Sequence, residues 1–282
     1  MAVRVVTDST SDLPHQVAQE LGVVVVPLNI HFGTEQYRDG IDISTDEFYR
    51  RLIQGPVFPT TSQPSPGAFI EAYNTLAEET DQIISIHISS KLSRTFNSAL
   101  LATQQVGKPC KIEIVDSQRG SMSLGLVVIA AARAAQAGAS LSEVVEVANK
   151  AINTIRDFFT FDTLEYLRKG GRIGKVQALL GSLLNIKPIL TVRDGEIYPL
   201  ERPRTRTKAL DRLYELVTNL SNIVDMTLAY STNQEDADKL AQRLSTHFPI
   251  ERMYKARFGP VLGTYIGPGA VGVAVRLEEA VN

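Results

Sequence analysis

The chain has 282 residues, 44% hydrophobic and 21% charged, with a formal net charge of −2. That length accommodates two ordinary domains, each able to bury a core, and the near-neutral charge argues against a nucleic-acid partner drawn by a global basic field. Cys110 alone cannot form an internal disulfide, and residues 1–8 enter a strand pattern with no apolar signal region, so a cytoplasmic protein is expected.

In chain order, 3–7 reads as a short apolar strand. A capping turn, Asp8-Ser9-Thr10-Ser11-Asp12, follows it, and then a helix over 15–21 stopped by Gly22. A second strand is expected over 23–30, with Pro27 marking an edge or an end. Residues 32–43 read as a hairpin turning at Asp39-Gly40, and Ser44 to Glu47 as a capping box opening a helix over 47–52. Two hydroxyl-rich turns come next. Thr60-Thr61-Ser62-Gln63-Pro64-Ser65 leads into a helix with Pro66 in its first turn, and 89–98 follows the β-branched strand 82–88 and enters another helix. After a strand over 111–115, the apolar stretch 121–139 is interrupted by Arg133 and Gln136. A buried helix over about 122–137 fits it better than stable membrane insertion.

A helix over 142–156 closes the first half, and the domain boundary is placed near Arg156, giving domains 1–156 and 157–282. The second half is read as a basic segment (168–175), an apolar helix (176–184) and a hairpin turning at Asp194-Gly195. A helix over 208–220, a strand over 225–230 and a helix over 234–245 follow. Residues 261–275 are read as strand, glycine-rich turn and strand. Alternating strands and helices predict an α/β protein whose N-terminal domain has a parallel sheet flanked by helices. Ligands of such sheets bind at the carboxyl ends of the strands, where Asp8-Ser9, Ser89-Ser90 and Asp116-Ser117 are expected.

A strand, a hydroxyl-rich turn and a helix together aim free N–H groups at a small anion, although Ser and Thr also cap helices in any protein. Neither hydroxyl turn contains a His, Asp, Glu or Cys, so the pattern suits holding an anionic group without reacting with it. The basic run Arg168 to Lys175 lacks the spacing of a nucleotide-binding loop. It is a solvated face or, with Arg202, Arg204, Arg206 and Lys208, a partner-docking face or a clamp for a phosphorylated product. The four histidines have no metal-ligand spacing, and Asp8, Asp12 and Asp116 are either caps or a carboxylate cluster for Mg²⁺.

The segments at 6–13, 60–66, 89–96 and 115–117, with Leu-Arg-Lys-Gly-Gly-Arg-Ile at 167–173, Lys-Pro-Ile-Leu at 187–190 and Gly-Pro-Gly-Ala at 267–270, resemble the DegV family over nearly the whole chain. The resemblance implies a two-domain α/β fold, with a mixed sheet in the C-terminal domain, that binds one long-chain fatty acid and has no catalytic residue or cofactor. Bacterial members present the acyl chain to a separate fatty acid kinase, which phosphorylates its carboxylate. By the family pattern the carboxylate would be bonded by Thr61, Ser62, Ser93 and Tyr265, with Tyr265 standing where members often carry a His. Ile30, Phe96, Leu124, Val128 and Leu190 are candidates for the acyl tunnel, and Arg172 and Arg202 for the kinase- or phosphate-facing surface. The competing reading is a metal-dependent phosphotransferase or acyl-phosphate hydrolase using Asp8 or Asp116.

Overall fold

The structure is a computed structural model that describes residues 2–279, without the side chains of 180–185. The first half runs β1 (Arg4–Asp8), α1 (His15–Glu20), β2 (Val23–Val26), β3 (Asn29–Phe32), β4 (Glu35–Arg38), α2 (Thr45–Gln54) and β5 (Thr60–Ser62). It continues through α3 (Pro66–Ala77), β6 (Gln82–His87), α4 (Thr95–Ala102), β7 (Lys111–Asp116), α5 (Met122–Gln136) and α6 (Leu141–Thr154). Then come β8 (Ile155–Thr160), α7 (Glu165–Lys169), a 3-10 segment (Gly174–Asn185), β9 (Ile189–Arg193), β10 (Glu196–Glu201) and α8 (Arg206–Thr218). The chain ends with β11 (Ile223–Tyr230), α9 (Gln234–Leu244), β12 (Met253–Arg257), α10 (Pro260–Ile266) and β13 (Val271–Leu277).

Strands β2-β1-β6-β7 form a parallel sheet, and β10-β9-β8-β13-β11-β12 a mixed one in which β11 and β12 are parallel. The period-two alternation of a strand decides which side chain goes where. Val5, Ile84 and Ile86 face α5, while Val6 and Ile83 face α3 and α4 on the other side. Helix α5 is apolar almost all round because it lies with α6 between the two sheets, touching β1 and β6 on one side and β11 and β13 on the other. Helices α8 and α9 cover the outer face of the mixed sheet through Leu213, Val217, Leu240 and Leu244. Among the described residues, no helix is long and apolar enough to cross a membrane.

Caps set the helix starts. Ser140 and Glu143 form a complete capping box on α6, the Ser140 N–H donating to Glu143 Oε2 at 2.8 Å. A Ser140→Ala variant is expected to lose about 1 kcal/mol of stability in urea unfolding. At Ser44 only half a box forms. Its hydroxyl accepts the Glu47 N–H at 3.2 Å, but the Glu47 carboxylate turns to Arg50 and Arg51.

Several expectations are corrected. The strand expected over 23–30 divides at Pro27 into β2 in the parallel sheet and β3 in a separate antiparallel sheet β4-β3-β5. The hairpin turns at Gly33, where φ is +63°, and Asp39-Gly40 lies beyond its end. Thr60–Ser62 is a strand paired with β3, because Thr61 opposite Ile30 completes a ladder that no local signal announces. Residues 260–266 form a helix, and β12 was not foreseen. The Asp194-Gly195 turn is as expected, with φ of +48° and +77° suiting a tight two-residue hairpin loop.

Candidate ligand-binding site

Four of the named residues converge. Thr61 reaches inward from β5, Ser93 from the loop before α4, Arg172 from the segment after α7, and Tyr265 from α10. They line one pocket together with apolar groups that include Ile88, Leu167 and Val261. The Tyr265 hydroxyl meets Thr61 Oγ1 at 2.5 Å, and the Arg172 guanidinium stands over the Tyr265 ring, 4.7 Å from its centroid. Ser93 Oγ accepts the Thr95 N–H at 3.3 Å and shares a hydrogen bond with Thr95 Oγ1 at 2.8 Å, which fixes it at the helix entrance. Arg172 donates to the carbonyls of Gly170 (2.9 Å) and Leu92 (3.4 Å), and among the described residues no carboxylate pairs with it.

Glycines make this convergence possible. A Cβ on Gly170 would lie 2.3 Å from the Tyr265 ring, and one on Gly263 would lie 2.6 Å from Phe48. Gly170, in the Gly-Gly pair, and Gly263, in the middle of α10, therefore let the Tyr265 and Phe48 rings pack directly against backbone.

A second chamber adjoins the first and shares Leu92, Ile197, Leu262 and Ile266 with it. Phe159, Phe161, Leu190, Val192 and Phe258 also line it, and among the described residues Ser121 brings its only side-chain polar group. Each chamber encloses about 490 Å³ of atom-free space, part of it open to solvent. A mouth with three hydroxyls and, among the described residues, one cation therefore adjoins an apolar chamber. That arrangement suits an amphipathic molecule with an anionic head.

The other named residues lie elsewhere. The Ser62 hydroxyl points to the opposite side of β5 and bonds His31 Nε2 at 3.0 Å. Of the five tunnel candidates, only Leu190 lines a chamber. Ile30 is buried beside Phe32, Phe48 and Val261, Leu124 and Val128 are in the core around α5, and Phe96 is half-buried on α4. Arg202 is exposed on the loop after β10. Leu92, Ile197, Leu262, Ile266 and three phenylalanines were missed. Alternation in Phe158-Phe159-Thr160-Phe161 would have placed Phe159 and Phe161 on one face, but only pairing with Leu190 shows what that face meets.

Asp8 and Asp116 do not form a joint centre. Asp8 is fully buried, accepting from Thr10 N–H (3.0 Å), Ile88 N–H (3.1 Å) and the Thr10 hydroxyl and bonding His87 Nδ1 (3.0 Å). His87 continues to Ser85 Oγ at 2.7 Å, which accepts the Tyr73 hydroxyl at 2.9 Å, all out of reach of solvent. Asp116 accepts the N–H groups of Ser90 and Gln118. Among the described residues, no group of three or more His, Cys, Asp or Glu is arranged to hold a metal ion.

An α/β protein with a parallel sheet, a mixed sheet and an apolar pocket entered past hydroxyls and an arginine is the class that these features define. The chain belongs to the DegV family: the family model described as "Uncharacterised protein, DegV family" matches residues 2–278. Protein DegV of Bacillus subtilis is 36% identical over 97% of this chain and 98% of its own. Among solved structures, a DegV family protein of Thermus thermophilus described by its fatty acid binding superposes with a TM-score of 0.92 at 36% identity, covering 99% of this chain and all of the other. DegV of Bacillus subtilis, described as a fatty acid binding protein, gives 0.90 at 33% identity over 99% and 100%.

Proposed function

We propose that this chain binds one long-chain fatty acid and presents it to a separate fatty acid kinase, without catalysing a reaction of its own. The carboxylate accepts hydrogen bonds from Thr61, Ser93 and Tyr265 beside Arg172, and the tail occupies the apolar chambers. The observation that carries this reading is the joining of that mouth to a chamber of aliphatic and aromatic side chains, with no carboxylate, imidazole or thiol among the described residues that line the mouth. The fatty acid binding described for the Thermus and Bacillus relatives supports it. Each buried methylene contributes about 0.8 kcal/mol, so the tail supplies most of the affinity and the head sets its direction. Tyr265 donates a hydrogen bond but carries no positive charge near neutral pH, leaving Arg172 as the cation at the head group.

Native mass spectrometry of the purified protein, followed by lipid extraction, tests the reading. One fatty acid per chain is the expected result. An empty protein that also ignores added palmitate or oleate refutes it. A Ser93→Ala variant is expected to bind about 1–3 kcal/mol more weakly, while Ser62→Ala stays within about 0.5 kcal/mol of the parent. We assign Arg172 and Arg202 to the kinase-facing surface. Arg202→Ala should slow phosphorylation by the added kinase without changing lipid affinity, and equal turnover would remove it from that surface.

A further inference from the structure

Helix α10 forms one wall of both chambers through Leu262 and Ile266 and carries Tyr265 at the mouth. Two carboxyl groups from remote parts of the chain hold its first turn. The Gly259 N–H donates to Asp12 Oδ1 at 2.9 Å, and the Asp39 carboxyl lies against the same turn, its oxygens 3.6 and 3.8 Å from where a Cβ on Gly259 would stand. Asp12 also accepts from the hydroxyl of Ser121 at 2.6 Å, at the start of α5 beside the second chamber, and Asp39 faces Ser9 in the loop after β1. These two side chains therefore fasten α10 to the loops after β1 and β4 and to α5.

Among the described residues, neither carboxyl has a cation paired with it. The groups facing them are each other, Asp8, Tyr49 of α2, and Arg257 and Lys255 of β12. Arg257 is paired with Asp46 and Lys255 with Asp238, while the Tyr49 hydroxyl donates to the Phe258 carbonyl. Asp39 is buried. Asp12 is half-buried, with one edge on a solvent-open crevice between Pro14 and Pro260.

We propose that Asp12 and Asp39 are positioning residues for the pocket wall: as neutral carboxyls they seat α10, and their ionisation loosens it, so the pocket holds its ligand less firmly as pH rises. The ligand part of this statement rests on the fatty-acid reading, whereas the seating of α10 does not. Burial, first, and the neighbouring acids push Asp39 up to about 7 and Asp12 up to about 8. A neutral Asp12 keeps its bonds, since the Ser121 hydroxyl can rotate to accept from it. When the wall opens, water reaches both groups and their values return toward the ordinary 3.8. The open form then binds fewer protons than the closed one, so closure is favoured most below about pH 4 and loses ground up to pH 7–8, above which it levels off.

The test is hydrogen exchange by mass spectrometry on the full chain stripped of lipid, from pH 5 to 9, with rates corrected for intrinsic pH dependence. The peptide spanning 259–267 is expected to lose protection by at least roughly tenfold between pH 5 and 8 and then to level off, with the peptide of α6 as internal reference. Asp12→Asn and Asp39→Asn, which preserve shape and remove the charge, should each flatten that slope. A flat profile in the parent protein overturns the proposal by itself, even if one variant fails to fold; so do variants that keep the full slope. Release of bound palmitate to vesicles should be faster at pH 8 than at pH 6.5, and the Asn variants should reduce that difference. Exchange that follows pH in a protein that binds no fatty acid would refute the fatty-acid reading and leave the seating role standing. Lipid binding with flat exchange would do the reverse.

Discussion

A Gly267→Ala variant is expected to lose about 4 kcal/mol of stability and, with it, the shape of the pocket. Gly267 ends α10 at φ +71° and ψ −174°, a backbone region open essentially to glycine alone, which costs a side-chain-bearing residue about 1–3 kcal/mol. The added Cβ would also lie 2.2 Å from the Tyr166 ring, and relieving such overpacking typically costs a further 1–3 kcal/mol or so. Gly171→Ala separates the two causes. Its φ is +73°, but nothing lies within 4 Å of the new methyl group, so only about 1 kcal/mol is expected. Equal urea midpoints for the two variants would mean that the Tyr166 contact is not tight. Tyr265 and Ile266 immediately precede Gly267, so lipid affinity should fall in Gly267→Ala and persist in Gly171→Ala.

Asp157→Ala should cost about 3–5 kcal/mol, the usual penalty for removing one partner of a buried ion pair. The Asp157 carboxylate is buried and accepts the Val192 N–H (2.8 Å), the Thr191 hydroxyl (3.0 Å) and Arg119 Nη1 (3.3 Å). Arg119 comes from the loop after β7 and also donates to the carbonyls of Val192 (2.8 Å) and Ile152 (3.1 Å). It thus straps the edge of the parallel sheet to the mixed sheet, and the next two residues, Gly120 and Ser121, border the second chamber. Without Asp157, a largely buried guanidinium and a strand N–H lose their acceptor. A double-mutant cycle with Arg119→Ala should recover about 1–3 kcal/mol as coupling, since the second truncation removes the stranded charge. Strict additivity in urea unfolding would show that the two side chains act independently. Retention of the acyl chain should weaken in Asp157→Ala, because the loop that closes the chamber loses its anchor.

Local chemistry made much of the fold legible. The β-branched run before His87, the interrupted apolar stretch 121–139, the Pro66 helix start and the Asp194-Gly195 turn each follow from short-range sterics, capping or period. The hydroxyl-rich motifs likewise located Thr61 and Ser93, and the basic run held Arg172. Ser62 was named with its neighbour because adjacency in sequence hides direction. Once Thr60–Ser62 pairs as a strand, consecutive side chains must point to opposite faces, so Thr61 goes to the mouth and Ser62 to His31.

Tertiary structure decided the rest, for reasons that no local pattern carries. Val261, Leu262, Thr264, Tyr265 and Ile266 have the composition of a strand, yet they are helical. Pro260 suits a first helical turn, Gly263 lets that helix close on Phe48, and Asp12, far away in the chain, accepts the Gly259 N–H at its entrance. The chambers arise the same way, where side chains from β8, β9, β10, α10 and the loop before α4 meet between two sheets. The sequence by itself determined most helices, most strands and the hydroxyl-rich turns, because capping and periodicity act within a few residues. Only the packed structure decided which hydroxyls face the pocket and what lines it, because those depend on strand pairing and on contacts between residues more than two hundred positions apart.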